Sequence, residues 1–250
     1  MSKQLALMAD GLTVSFGGFK AVDTFSMTVD DGELRVVLGP NGAGKTTLMD
    51  LISGKTQSTA GAVYLYGEDI TNLPEHSIAL AGVGRKFQIP SIFSDLTVRE
   101  NLRVACSMTR TVWKNLRFGL RSEESRKLEE VIEMADLGPA LTSRAGDLSH
   151  GQMQWLELGI LMAQDANLLL LDEPTAGMTQ EETQRTAEII KRMRGQYTML
   201  VVEHDLSFVR AIAERITVMH MGKFLAQGTM AEIEANQAVR DAYLGSAGAA

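Results

Sequence analysis

The chain has a single cysteine in 250 residues, which excludes an internal disulfide and fits a reducing compartment. That residue, Cys106, reads as a small apolar side chain inside a helix rather than as a reactive thiol. No stretch approaches the ~20 consecutive apolar residues needed to cross a bilayer. A signal-peptide hydrophobic region is also lacking, because Asp10, Gly11 and Thr13 interrupt the first apolar run. Basic charge is in short supply: 24 Lys and Arg face 31 Asp and Glu, for a net charge of -7. That balance argues against a protein held on nucleic acid by overall charge, although it leaves a local basic patch open. Internal repeats and low-complexity segments are missing. What remains is an ordinary globular composition, 45% hydrophobic and 22% charged, long enough for one large α/β domain or two modest ones. A cytoplasmic protein is expected, and any work at a membrane would pass through partner proteins.

Short aliphatic runs alternate with longer amphipathic ones, the pattern of an α/β architecture. Buried strands are expected over residues 34–38, 168–171, 198–202 and 216–219, with helices over 45–53, 180–194 and 206–213. Strands with helices between them imply a parallel sheet covered on both faces. The first ~30 residues and residues 62–66 read instead as antiparallel hairpin material, with glycine turns at Gly17-Gly18 and Gly32. Between residues 89 and 154 helical runs dominate, for example 98–106 and 123–135, so a helical insertion in the α/β core is expected. The ending, residues 245–250, reads as a frayed tail.

Three elements carry chemistry. The first is Gly39-Pro40-Asn41-Gly42-Ala43-Gly44-Lys45-Thr46, followed by Thr47, which fits G-x-x-x-x-G-K-[ST] between a strand and a helix. Backbone N–H groups of such a loop, together with a helix N-terminus, attract phosphate. Glycines let the backbone approach it closely. Lys45 can reach the β and γ phosphates, and the Thr46 hydroxyl can ligate Mg²⁺. The second element is the apolar strand 168–171 ending in Asp172 and Glu173, two carboxylates at the strand end where open α/β sheets bind ligands. Asp172 would hold Mg²⁺, largely through water, and Glu173 would polarise the attacking water as base or as orienter. The third is Leu148-Ser149-His150-Gly151-Gln152, about twenty residues upstream of that pair. Ser149 reads as an N-cap, so this is a second helix N-terminus able to face an anion.

In combination the three elements resemble ABC ATPases, whose signature usually reads Leu-Ser-Gly-Gly-Gln. The resemblance covers nearly the whole chain. It implies a single domain with a P-loop NTPase (RecA-like) parallel core, an antiparallel β subdomain and an inserted helical subdomain. Residues 1–88 and 155–250 would form the core and 89–154 the helical part with the signature. It also implies ATP and Mg²⁺ as ligands. Phe16 matches the aromatic that stacks on adenine. Gln88 matches the glutamine that reaches the Mg²⁺ and water region, and His204 the switch histidine at the γ-phosphate. Ser149, Gly151 and Gln152 would contact the nucleotide of a second subunit. Two departures stand out: His150 replaces the first signature glycine, and Thr179 stands where many members carry aspartate.

In that family each nucleotide lies between the phosphate loop of one subunit and the signature of another. This chain holds one of each, so a dimer with itself or with a similar ATPase subunit is implied. Residues 82–88, the Ala176-Gly177-Met178 loop and residues 239–245 resemble ATPases of branched-chain-amino-acid-type importers. Within that group the Ser149-His150-Gly151-Gln152 string, residues 154–157 and Ala176-Gly177-Met178-Thr179 look like the urea-transport branch. The implied partners are membrane permease subunits and, indirectly, an extracytoplasmic solute-binding protein, with no nucleic acid. The implied place is the inner face of a bacterial cell membrane. Import of urea or short amides is the first reading; import of branched-chain amino acids is the alternative, with a soluble ABC ATPase acting on ribosomes or DNA and a P-loop kinase further off. Residues 112–121 interleave aromatics with basic residues. They read either as an amphipathic part of the helical insertion or as a contact with a membrane subunit or lipid head groups.

Overall fold

The computed structural model describes residues 4–85, 92–108 and 120–247. Gln88 and residues 112–119 of the basic, aromatic segment lie outside them. The chain divides into two compact units, one of Met1–Val83, Asn167–Glu173 and Arg194–Ala250, the other of Gly84–Ala166 and Pro174–Met193.

The first unit holds one sheet whole and a second sheet except for residues 84–85 at its edge. Strands β1 (Leu5–Phe16), β2 (Phe19–Asp30), β4 (Ala60–Leu65) and β5 (Glu68–Asp69) form an antiparallel sheet in the order β2-β1-β4-β5. Its β1–β2 hairpin turns at Gly17 and Gly18, whose φ values of 56° and 89° are ones glycine adopts without a Cβ clash. The second sheet has the order β10-β9-β3-β8-β7-β6, from β10 (Lys223–Gly228), β9 (Arg215–His220), β3 (Leu34–Leu38), β8 (Thr198–Glu203), β7 (Leu168–Asp172) and β6 (Val83–Arg85). The middle strands β9, β3, β8 and β7 run parallel.

Those strands read as near-continuous apolar runs because both faces are covered. Leu168, Leu170, Leu200 and Val202 join helix α1 (Lys45–Ile52), Ile78 of helix α2 (Glu75–Leu80) and the antiparallel strands in one core cluster. The alternate residues Leu169, Leu171, Met199 and Val201 are equally buried. Each such side chain contributes roughly 1.5–3 kcal/mol by leaving water. Arg35 sits inside this run at 1% exposure. Its guanidinium donates to Glu33 Oε1 at 2.7 Å, Thr217 Oγ1 at 3.0 Å and Gln227 Oε1 at 2.7 Å. A buried charge is tolerated when paired and hydrogen-bonded in this way.

The strands expected over residues 34–38, 168–171, 198–202 and 216–219 are β3, β7, β8 and β9, and they run parallel as expected; β10 adds an antiparallel strand at the edge, beside β9. One expectation needs correction: Gly32 is not a hairpin turn. It carries the chain from β2 in one sheet to β3 in the other, and a Cβ there would lie 3.3 Å from the Gly195 backbone.

The second unit is helical, with α3 (Val98–Met108), α4 (Leu120–Met134), α5 (His150–Ala163) and α6 (Gln180–Met193). Helix α5 is buried without a break from Trp155 to Ala163. Gly159 allows the close approach, because a Cβ there would come within 3.1 Å of Leu102 and of Leu137. Trp155 donates its indole N–H to Thr186 Oγ1 at 2.9 Å, and the Arg185 guanidinium stacks 4.5 Å from the centre of its ring. Arg185 is also held by Asp136, Nε to Oδ2, at 2.6 Å. Cys106 is buried on α3, as a structural cysteine should be.

Candidate functional site

The loop Gly39 to Gly44 joins β3 to α1. Its glycines are required by space as well as by conformation. A Cβ on Gly39 would meet the Met219 carbonyl oxygen at 2.4 Å, and one on Gly44 the Ala21 carbonyl oxygen at 2.3 Å. Gly44 also has φ 99° and is the N-cap of α1. Gly42 differs, with φ 77° and open space around it. The β9–β10 turn braces the loop from behind: Gly222 N–H donates to the Ala43 carbonyl at 3.0 Å, and its own carbonyl accepts from Asp23 N–H at 2.9 Å. Sequence reading missed this brace, whose only local trace is Met221-Gly222, both at positive φ.

Lys45 folds back over its loop and donates to the carbonyls of Gly39 at 2.8 Å and Pro40 at 3.0 Å. Burial pulls its ammonium pKa below the ordinary value, while the charges of Glu173, Asp172 and Glu203 pull it back up. Pro40, Asn41 and Gly42 line the more open part of the loop, and Thr46 is exposed at the first turn of α1, with Thr47 half-buried behind it. This part of the unit collects backbone N–H groups, one lysine and several carboxylates at the ends of β3, β7 and β8.

Asp172 ends β7 and Glu173 follows it with φ 46°, a left-handed conformation that a non-glycine residue adopts at a cost of about 1–3 kcal/mol. Its N–H donates to the Val202 carbonyl at 2.9 Å, which ties the turn to β8. The Glu173 carboxylate then meets His204, with Oε1 3.1 Å from Nδ1. Glu203, the last residue of β8 and 1% exposed, accepts the His204 backbone N–H at 3.1 Å. Sequence reading passed over Glu203, although an acidic residue closing an otherwise apolar strand is a visible signal. Phe16 stands at the tip of the β1–β2 hairpin, 54% exposed, paired across the strands with the still more exposed Phe19.

The signature residues lie on the other unit. Ser149 caps α5 through a capping box: its hydroxyl accepts from Gln152 N–H at 3.2 Å, and its N–H donates to Gln152 Oε1 at 3.0 Å. The Ser149 hydroxyl itself donates to Glu182 Oε1 at 3.1 Å. The other oxygen of Glu182 accepts from Thr179 N–H at 3.0 Å and Thr179 Oγ1 at 3.1 Å. Thr179 therefore has a local task in place of the usual aspartate, capping the start of α6. Its backbone N–H is the largest influence holding the Glu182 carboxyl below the usual carboxylate range, with the Thr179 and Ser149 hydroxyls and Gly151 N–H acting in the same sense and desolvation against them. His150, the other departure, places Nε2 2.9 Å from the Ala176 carbonyl oxygen. Glu182 was not singled out from the sequence.

The oxygen-rich set of Thr46 and Asp172 suits a hard cation such as Mg²⁺, which takes one or two protein oxygens and fills its shell with phosphate and water. Gly39 and Gly44, whose missing Cβ positions are filled by the Met219 and Ala21 carbonyls, fix the path of the loop, and a loop of this kind at a helix start presents backbone N–H groups to a phosphate.

Comparison with known proteins bears on this arrangement. The family "ABC transporter" matches residues 22–176, and "Branched-chain amino acid ATP-binding cassette transporter" matches residues 225–249. The high-affinity branched-chain amino acid transport ATP-binding protein BraF of Pseudomonas aeruginosa is 37% identical over 252 residues, covering 96% of this chain and 98% of the relative. The corresponding LivG protein of Escherichia coli K12 is 35% identical over 258 residues, covering 99% and 100%. Among solved structures, a nucleotide-free ATP-binding cassette from an ABC transporter superposes with a TM-score of 0.78 at 27% identity, covering 96% of this chain and 98% of that one. An ABC transporter cassette in its ADP conformation gives 0.79 at 28%, covering 96% and 99%. With the cassette fold, the phosphate loop and these relatives in agreement, the chain belongs to the ABC transporter family, as an ATPase subunit homologous to the branched-chain amino acid transport ATP-binding proteins.

Proposed function

We propose that this subunit hydrolyses ATP at a site completed by a second ATPase subunit and thereby drives solute import through membrane permease subunits. The pairing of Glu173 with His204 beside Lys45 carries the reading. Gly39 to Thr47 cradle the phosphates, and Phe16 stacks on the adenine. Lys45 releases the Gly39 and Pro40 carbonyls to reach the β and γ phosphates. Glu173 orients and deprotonates the attacking water, and His204 holds Glu173 and contacts the γ-phosphate. Thr46 and Asp172 would hold Mg²⁺, with Gln88 assigned to the same region by resemblance, and the ion would supply positive charge against that developing on the phosphates. Ser149, Gly151 and Gln152 serve the partner subunit's nucleotide. ATP thus favours the closed pair, and hydrolysis lets it open.

No helix among the described residues is long and apolar enough to cross a membrane. Its kinship with transport ATP-binding proteins supports a place on the cytoplasmic face of the membrane, bound peripherally, with a solute-binding protein delivering cargo on the other side. Two solute classes follow from two observations. The curated relatives transport branched-chain amino acids. His150 in the signature and the Ala176-Gly177-Met178-Thr179 loop resemble the urea-transport branch, which favours urea or short amides. Uptake of labelled leucine and labelled urea in cells lacking this subunit separates them. Loss of urea uptake alone supports the second class, loss of leucine uptake alone the first. Loss of neither removes the importer reading.

A further inference from the structure

The Ser149 hydroxyl has one proton to donate, and in the free subunit it is already committed. It goes to Glu182 Oε1 at 3.1 Å. The same oxygen fills the space in front of the Gly151 backbone, where an added Cβ would come within 2.5 Å of it. Glu182 is thus an anion resting on the N-terminus of α5, the place where helix geometry concentrates positive potential. It is not there by accident of a free side chain. Its other oxygen is fixed by Thr179 N–H and Thr179 Oγ1 at 3.0 and 3.1 Å. The loop before it is pinned by His150 Nε2, 2.9 Å from the Ala176 carbonyl oxygen.

The geometry points to Glu182 as a positioning residue that occupies the signature's anion position in the separated subunit and is exchanged for the terminal phosphate of the partner's ATP when the two subunits close. This inference rests on the reading that Ser149 and Gly151 serve the partner's nucleotide. A hydroxyl with one proton cannot donate to the carboxylate and the phosphate together, and two anions at one helix end repel. Closure therefore proceeds from the fraction of subunits in which Glu182 has let go, and the apparent affinity for ATP is reduced by that fraction. The device keeps an unpartnered signature helix capped and makes the closed state dependent on a strongly charged ligand.

The test uses the assembled transporter and reads KM for ATP and kcat separately. Glu182→Gln keeps the size and the Thr179 cap but removes the charge. It is expected to lower KM at least about threefold while kcat stays within about threefold. An unchanged or raised KM overturns the inference, since a residue that merely supported Ser149 would weaken ATP use when altered. Thr179→Ala loses the cap but leaves the charge on Ser149, and should lower the melting temperature without lowering KM; an equal fall in KM would assign the effect to the cap and overturn the inference. If Glu182→Gln does not fold, Glu182→Asp withdraws the carboxylate by one methylene, and KM must again fall. Ser149→Ala tests the underlying reading separately. Hydrolysis that survives it unchanged removes the signature contact itself, whereas impaired hydrolysis with an unmoved KM in Glu182→Gln removes only the role of Glu182.

Discussion

Glu173 Oε1 and His204 Nδ1 are 3.1 Å apart, and both side chains remain open to solvent, at 41% and 57% exposure. A carboxylate and an imidazole in contact at the ends of adjacent parallel strands, within the field of Lys45, are arranged for work on a bound molecule rather than for stability. Exposed pairs of this kind contribute at most about 1 kcal/mol to folding. Glu173→Gln should therefore leave the fold and ATP binding intact while slowing hydrolysis by about a hundredfold or more. Nucleotide titration alongside steady-state turnover checks this, and an unchanged turnover would remove Glu173 from its role.

His204→Ala should also slow hydrolysis, by about tenfold or more, because Glu173 loses the group that holds its carboxylate. The informative experiment is the double variant. Residues that act as a unit are not additive, so His204→Ala should cost much less in the Glu173→Gln background than in the native protein. Single-turnover rates for the four proteins give the coupling, and equal costs in both backgrounds would show that the contact is idle.

The glycines of the phosphate loop should not respond alike. Gly42→Ala meets only the strain of φ 77° with no neighbour within 4 Å, a cost of about 1–2 kcal/mol. Gly44→Ala adds to a similar strain a Cβ 2.3 Å from the Ala21 carbonyl oxygen, and the backbone there must shift. Urea unfolding and ATP titration should rank Gly44→Ala as the more damaging on both scales. The reverse order would mean that the loop yields more easily than its packing implies.

Asp205 offers a test in pH. It N-caps helix α7 (Leu206–Ile212), accepting from Ser207 N–H at 2.8 Å and Ser207 Oγ at 2.6 Å. The Ser207 hydroxyl is the largest influence holding its carboxyl below the ordinary 3.8, and desolvation is the chief opposing one. A carboxyl lowered on folding adds stability above its unfolded value, and that contribution disappears as pH falls through the lower folded value. Asp205→Ala should accordingly cost about 1 kcal/mol at neutral pH. The gap between variant and native protein should close as pH drops below 3.8. Denaturant melts at neutral and strongly acid pH measure it, and a gap that persists in acid would assign the cap to something other than charge.

Much of the α/β core was legible because its strands are buried on both faces. The expected strand over residues 34–38 is β3, Leu34–Leu38, and that over 198–202 is β8, lengthened by Glu203. The edge strand β10 escaped because Lys223 and Phe224 are exposed and the strand alternates too weakly to stand out from a loop. Gly32 was legible as a turn, but which sheet the chain entered next depends on pairing with strands more than a hundred and sixty residues away. In the site, Thr179-x-x-Glu182 was readable as a capping pattern. The reach of Glu182 to Ser149 was not, because no local pattern announces a contact between residues 33 positions apart. Asp172 was readable as a carboxylate closing an apolar strand, Phe16 and His204 were named only through resemblance, and the left-handed backbone at Glu173 had no sequence signal.

The hydrogen-bonded chain from Ala43 through Gly222 to Asp23 places an unexpected limit on how this protein can vary. A loop that cradles phosphate by its backbone takes its shape from whatever stands behind it, and here that is a two-residue hairpin with both residues at positive φ. One inserted residue at Met221-Gly222 would alter neither the phosphate-loop motif nor any side chain facing a ligand. It would nonetheless move the wall against which Gly44 is folded. The length of a remote turn is thus as much a part of the nucleotide site as the lysine.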